Sequence, residues 1–297
     1  MRDFIRKITP KFMLSIYRKF KKKQVRKELS NQKNRGAVIT KEKLISDLEK
    51  MGIRKGDSVL VHSSMSKIGY LKDGPKTVVD AFLEVIGESG NLLMPNSPNP
   101  ALQLEYIKKI DYFDVENDVS KLGAISEYHR KLENSVRSWH PTEPVSCIGP
   151  DANFFVKDHF GELTPYNENS PFYRVAAKSG KIVMIGVTLD NAGTNLHTLE
   201  DAVENFKYPV YYGQAFEVKI KSPDGKIHNV KTKVHNPEWS TKRKCDELIP
   251  LFKEKNVLKE VSFGNAKTLI LDARKMLDVM LEAYNENGVT MYTPHGE

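Results

Sequence analysis

The sequence predicts an α/β protein: three layers, α/β/α, around a central mixed sheet, with one antiparallel hairpin insertion and a basic amphipathic helix at the N-terminus. Three observations predict it. Short apolar, β-branched runs alternate with segments of helical period from Thr40 to Tyr284. Residues 215–234 alternate about Pro223-Asp224-Gly225, a hairpin signal. The basic residues crowd into the first 35 positions, interleaved with apolar ones. The 297 residues, 39% hydrophobic, suit one large domain or two small ones and exclude global disorder.

In chain order, residues 41–51 read as a short helix and Asp57–His62 as a buried strand. Ser63-Ser64-Met65-Ser66 follows as a polar turn. Residues 76–87 have helical period, with Gly87 as a stop. Asn91–Met94 is a strand closed by Pro95, Pro98 and Pro100. Residues 101–119 read as loop that covers a site, and Ser120 as the N-cap of a helix to Leu132. Residues 137–149 read as extended or irregular. Lys181–Val187 is a buried strand, followed by the turn Asp190–Asn195 and a helix over 196–205. A helix over 244–255, a strand at 268–271 and a helix over 272–284 complete the body.

The charge divides the chain. Residues 1–35 hold 13 Lys and Arg against Asp3 and Glu28, so this arm carries +11 and the rest −3, which together make the formal +8. Within it Phe12, Ile16 and Phe20 recur at helical spacing beside Met13 and Tyr17, with Phe4, Ile5 and Ile8 upstream and Lys21–Lys23 downstream. Residues 1–36 therefore form a basic amphipathic arm and 37–297 the body. The pattern fits a helix on an anionic membrane surface, or one packed on the body or on a second subunit as in a homodimer. An RNA-binding arm is a weaker reading, because no nucleic-acid module accompanies it. No apolar run spans a membrane, and two cysteines cannot staple a secreted fold, so a cytoplasmic location is expected, peripheral to the inner face of the membrane if the arm binds there.

Open α/β sheets gather their chemistry beyond the carboxyl ends of strands. Two segments meet that rule: His62-Ser63-Ser64, and the turn leading to Thr194 and His197. No dinucleotide fingerprint, P-loop, nucleophile elbow or zinc-peptidase motif occurs, and no metal is expected. His197 and Glu200, three residues apart, share a helical face, a pairing that suits a general base and its carboxylate. His140 lies in an irregular segment of the kind that lines sites. Cys147 has no adjacent base, and the acids after Cys245 blunt that thiol.

Six motifs in order resemble the aminoglycoside 3-N-acetyltransferase family. They are Val61-His62-Ser63-Ser64-Met65-Ser66, Asn91-Leu92-Leu93-Met94-Pro95, Phe113-Asp114 with Ser120…Glu127, Arg137-Ser138-Trp139-His140-Pro141-Thr142 with Ser170-Pro171-Phe172, Ile185-Gly186-Val187…Asn195-Leu196-His197-Thr198-Leu199-Glu200, and Leu271-Asp272-Ala273-Arg274. The resemblance covers about residues 37–287. It implies acetyl transfer from acetyl-CoA to an amine of an amino sugar, by direct attack in a ternary complex. His197 matches the catalytic base, with Glu200 or a later acid, Asp246 or Glu247, orienting it and Thr194 near the oxyanion. His62, Ser63, Ser64, Ser66 and Ser170 would lie along CoA, and His140 and Asp114 near the acceptor. The chain departs from the family at Asp73-Gly74-Pro75 and at Pro144, both expected near the pocket. The acceptor is an aminoglycoside, or a nucleotide- or lipid-linked amino sugar used in a surface glycan. A non-catalytic CoA- or sugar-binding protein of the same fold, and a nucleic-acid-associated protein using the arm, are the alternatives.

Overall fold

The computed structural model describes residues 11–99 and 102–297. The arm's upstream positions, including Phe4, Ile5 and Ile8, lie outside the described residues, as does the side chain of Phe12.

Seven strands form the main sheet: β1 (Ser58–Ser63), β2 (Asn91–Pro95), β4 (Val136–Arg137), β5 (Val145–Ile148), β6 (Lys181–Ile185), β9 (Leu258–Phe263) and β10 (Ala266–Asp272). Their order is β4-β5-β2-β1-β6-β10-β9. The central trio β2-β1-β6 is parallel, and every pairing outside it is antiparallel. The sheet is therefore mixed, as expected.

Period-two burial builds the layers. Val59, Val61, Leu92, Met94, Val183 and Ile185 pack on one face, with Leu44, Leu48, Val78 and Phe82 of helices Lys41–Lys50 and Pro75–Ile86. Leu60, Leu93, Ile182 and Met184 point the other way, against Phe172 and Val175 of helix Pro171–Ala177 and Met276, Leu277 and Met280 of helix Ala273–Asn287. Runs apolar at every position, such as Val59-Leu60-Val61, belong to strands buried on both faces.

The hairpin insertion is present. Strands β7 (Phe216–Lys221) and β8 (Ile227–Thr232) are antiparallel, and β3 (Phe113–Asp114) joins β7 in parallel. The expected loop at 101–119 thus contains helix Gln103–Ile107 and β3. The stretch at 137–149, expected to be extended or irregular, supplies the end of the edge strand β4 and its neighbour β5. The helix expected from Ser120 starts at Ala124, after Gly123 at φ 118°. Ser120 Oγ instead accepts from Leu122 N at 3.2 Å and meets Ser126 Oγ at 3.1 Å, so it holds the preceding turn rather than capping the helix.

The arm is helical over Lys11–Asn34. Its far end docks: Gln32 Oε1 accepts from Tyr70 N at 2.9 Å. Nearer its start, Met13, Ile16, Tyr17 and Phe20 are 50–60% exposed. No helix among the described residues is long and apolar enough to cross a membrane.

Gly186 ends β6 at φ +65°, and a Cβ there would lie 2.6 Å from Lys67 Cβ. Gly186→Ala is expected to cost about 1–3 kcal/mol, through backbone strain and displacement of the turn after β1. A thermal melt checks this, and an unshifted midpoint would contradict it.

Candidate active site

The carboxyl ends of β1 and β6 lie side by side, with His62 opposite Met184 and Ser63 opposite Ile185. A cavity of about 420 Å³ opens there. His62, Ser63, Thr194 and His197 line it, so the two segments picked out by the strand-end rule meet at one place. Its wall also includes Gln103, Glu143, Tyr166, His235, Arg243 and Cys245.

His197 closes a 3-10 turn, Thr194–His197, that runs into helix Thr198–Ala202. Its Nδ1 lies 3.0 Å from Glu200 Oε1, although not in the alignment of a hydrogen bond. Glu200 is itself fixed on both oxygens. Tyr292 donates its hydroxyl to Oε1 at 2.6 Å, and His235 Nε2 meets Oε2 at 2.9 Å. Two stacked tyrosines hold His235: Tyr211 at 5.1 Å and 8° between planes, Tyr166 at 5.4 Å and 20°. Asp201 anchors that pair by accepting from Tyr211 Oη at 2.8 Å and Tyr166 N at 3.1 Å.

Burial pushes the His197 imidazolium down to about 3, so the free protein holds a neutral ring. Burial also disfavours the Glu200 carboxylate, yet the neighbouring His197 and His235 outweigh it and keep Glu200 below the usual carboxylate range. The arrangement is a neutral base backed by a fixed anion. Unpartnered buried polar atoms recur on the same wall, at His62 Nε2 and Arg243 Nε. Such atoms are rare in a satisfied interior and mark a place for a ligand.

The other expected residues lie elsewhere. The turn expected after β1 is the one-turn helix Met65–Ile68; Ser64 precedes it, Ser66 lies exposed within it, and neither lines the cavity. Ser170 Oγ caps helix Pro171–Ala177 by accepting from Tyr173 N at 3.1 Å. His140 is buried behind the wall, stacked on His159 at 4.6 Å, with Nδ1 facing the backbone N–H groups of Thr142 and Glu143. Asp114 pairs with Lys221 at 3.1 Å and orders its own loop through Asn117. Asp246 exchanges hydrogen bonds with Asp190, and Glu247 meets His295, so of the acids considered Glu200 alone abuts His197.

His235, Tyr292, Glu143 and Arg243 were not singled out from the sequence. They come from four separate segments and share no spacing; only the neighbourhood of His140 hinted at Glu143. Among the described residues His197, Glu200 and His235 are also a donor set that could take a divalent ion, their ligand atoms lying within 4.8 Å of one another.

Comparison with known proteins decides the family. The model of the family described as aminoglycoside 3-N-acetyltransferase matches residues 60–285. The chain belongs to that family. It is 32% identical over 184 residues to aminoglycoside N(3)-acetyltransferase VIII of Streptomyces fradiae, covering 57% of this chain and 63% of that protein. The enzyme IV of a Salmonella species is 28% identical over 265 residues, covering 86% and 92%. With the first of these relatives the match thus spans less than two thirds of the relative's length. Among solved structures, that of AAC-VIa bound to sisomicin superposes with a TM-score of 0.70 at 27% identity, covering 84% of this chain and 97% of that one. AAC(3)-Xa shares the fold with a TM-score of 0.75 at 23% identity, covering 88% and 97%. The three-layer mixed-sheet architecture is therefore the family's own.

Proposed function

We propose that the protein transfers an acetyl group from acetyl-CoA to an amine of an amino sugar, with His197 as general base. The observation that carries this is the cavity-lining His197 with its Nδ1 turned to the anchored Glu200. Nε2 is then the ring nitrogen to meet an acceptor. It takes the proton of the attacking amine as the N–C bond forms, and Glu200 stabilises the imidazolium. The thioester oxygen becomes an oxyanion, for which Thr194 and backbone N–H groups on the same wall are the candidate donors. Collapse breaks the C–S bond, and the imidazolium proton goes to the CoA sulfur. Cys245 also lines the cavity, but burial pushes its thiol up to about 12, which disfavours an acetyl-cysteine detour.

Thiol release from acetyl-CoA, assayed across aminoglycosides and nucleotide-linked amino sugars, tests the reading, and failure with every amine would leave only the fold. A metal-dependent reaction at His197, Glu200 and His235 is the second reading. With His197 acting as a base rather than a ligand, turnover persists in excess chelator; its loss, with recovery on adding zinc, would favour the metal.

The arm supplies the location. Its exposed apolar residues stand beside Lys19, Lys21, Lys22 and Lys23, a surface suited to anionic lipid and to acceptors of surface-glycan assembly. The full chain is expected to sediment with vesicles containing anionic lipid but not with neutral ones, and to lose at least ~10-fold in partitioning on Ile16→Glu with Phe20→Glu. Equal recovery with both vesicle types would remove this role.

A further inference from the structure

Glu200 sits between two imidazoles. Its Oε1 lies 3.0 Å from His197 Nδ1 and its Oε2 2.9 Å from His235 Nε2. The two rings are 4.2 Å apart, centroid to centroid, and both line the cavity. A general base needs one imidazole and one carboxylate. The second imidazole is surplus to that task, since an amide or hydroxyl would give Glu200 the same hydrogen bond.

Two imidazole nitrogens and a carboxylate are a donor set of three-ligand zinc sites, which leave a fourth position for water or another ligand. Tetrahedral zinc, bonded at about 2.0–2.1 Å, sets its ligand atoms about 3.3 Å apart. Both contacts of Glu200 lie within a few tenths of an ångström of that separation, and all the ligand atoms lie within 4.8 Å of one another. The set is braced as metal ligands are. Tyr292 donates to Glu200 Oε1 at 2.6 Å, and Tyr166 and Tyr211 stack on His235. Nitrogen donors select zinc over magnesium, which prefers oxygen. Arg243 acts electrostatically on all three groups and opposes a cation, so the fourth position favours an anion such as hydroxide.

We propose that His197, Glu200 and His235 form an inhibitory zinc site, and that the enzyme turns over only when zinc is absent from it. Zinc on Nδ1 of a neutral imidazole leaves the ring proton on Nε2, so the nitrogen that meets the acceptor becomes a donor and stops being a base. The ion also takes the Glu200 carboxylate that stabilises the imidazolium. The inhibition rests on the acetyl-transfer reading, whereas the binding does not.

The full-length protein, stripped of metal by chelator and dialysis, is titrated with zinc chloride by calorimetry and with cobalt(II) by visible absorption. Wild type, His235→Asn, His197→Ala and Tyr292→Phe are compared, with circular dichroism to confirm folding. Wild type is expected to bind one zinc per chain with a micromolar or tighter Kd, to give the intense bands of tetrahedral cobalt, and to ignore millimolar magnesium. Loss of either histidine should weaken zinc by at least ~10²-fold, and Tyr292→Phe by ~10-fold. In acetylation read by mass spectrometry of the acceptor, stoichiometric zinc should silence wild type and chelator should restore it. His235→Asn, slower from the start, should need at least ~10-fold more zinc for half inhibition. The proposal is overturned by no stoichiometric zinc binding, by an octahedral cobalt spectrum, by binding that survives both histidine substitutions, or by full turnover with zinc bound. Zinc binding at these residues, with no amine acetylated by the metal-stripped protein or by the zinc-loaded one, defeats the acetyl-transfer reading instead. Turnover that requires zinc defeats the inhibitory role and His197 as the base together.

Discussion

Replacing His197 with alanine is expected to lower kcat/KM for acetyl transfer by ~10²–10⁴, the usual worth of a positioned general base. The loss should fall mainly on kcat, because the proton moves only as the N–C bond forms. Glu200→Gln should cost less, about 10–10²-fold, since the base remains but the anion that stabilises its imidazolium is gone. Removing that anion also lowers the proton affinity of His197. Tyr292→Phe and His235→Asn leave Glu200 short of one hydrogen bond each, and should give milder losses of the same kind. Steady-state rates on one acceptor, with melting temperatures alongside, check the series. A His197→Ala protein that folds and turns over at the wild-type rate would remove the assigned role.

Acidification is expected to destabilise the protein steeply between pH 7 and 5. Six histidines are buried: His62, His129, His140, His159, His197 and His235. Burial lowers all six, His62 to about 4 and His129, His159 and His197 to about 3. Each binds its proton more readily in the unfolded chain, near pH 6.5, so stability is full above that pH and drains away as pH falls toward the folded value. At pH 5 the cost is about 2 kcal/mol for each of His62, His129, His159 and His197. Glu143, raised by burial to about 7, and Asp201, raised to about 6, act with the opposite sign and offset part of the loss. Six against two leaves a net loss of several kcal/mol, a large share of the ~5–15 kcal/mol that typically separates folded from unfolded. Guanidinium titrations at pH 7, 6 and 5 should show the midpoint falling. A flat or rising midpoint would show that these rings are not held neutral.

Much of the fold and part of the candidate site were legible because they are local. Three-residue spacing put His197 and Glu200 on one face, and doubly buried runs marked the strands whose ends carry the site. Pro223-Asp224-Gly225 marked the hairpin. What escaped the sequence was contributed by distant segments. The chain leaving β8 brings in His235, the loop after helix Pro237–Ser240 brings Arg243, and the C-terminal segment brings Tyr292. None repeats a spacing that chemistry requires, and only closure of the fold makes them neighbours. Strand β9 was missed for a different reason. As an edge strand it carries Lys259 and Glu260 on exposed positions, the charges that guard an edge from aggregation and that also break its apolar run. Ser120 shows that a capping side chain is a competitor as well as a signal, since its hydroxyl went to the turn before the helix.

Direct transfer from thioester to amine at His197 is tested most directly by mass spectrometry of the protein and of the acceptor, after a single mixing with one equivalent of acetyl-CoA. One acetyl group is expected on the acceptor amine for each CoA thiol released, none on the protein, and neither product with His197→Ala. An acetyl group resident on the protein, or turnover undiminished in His197→Ala, would contradict direct transfer.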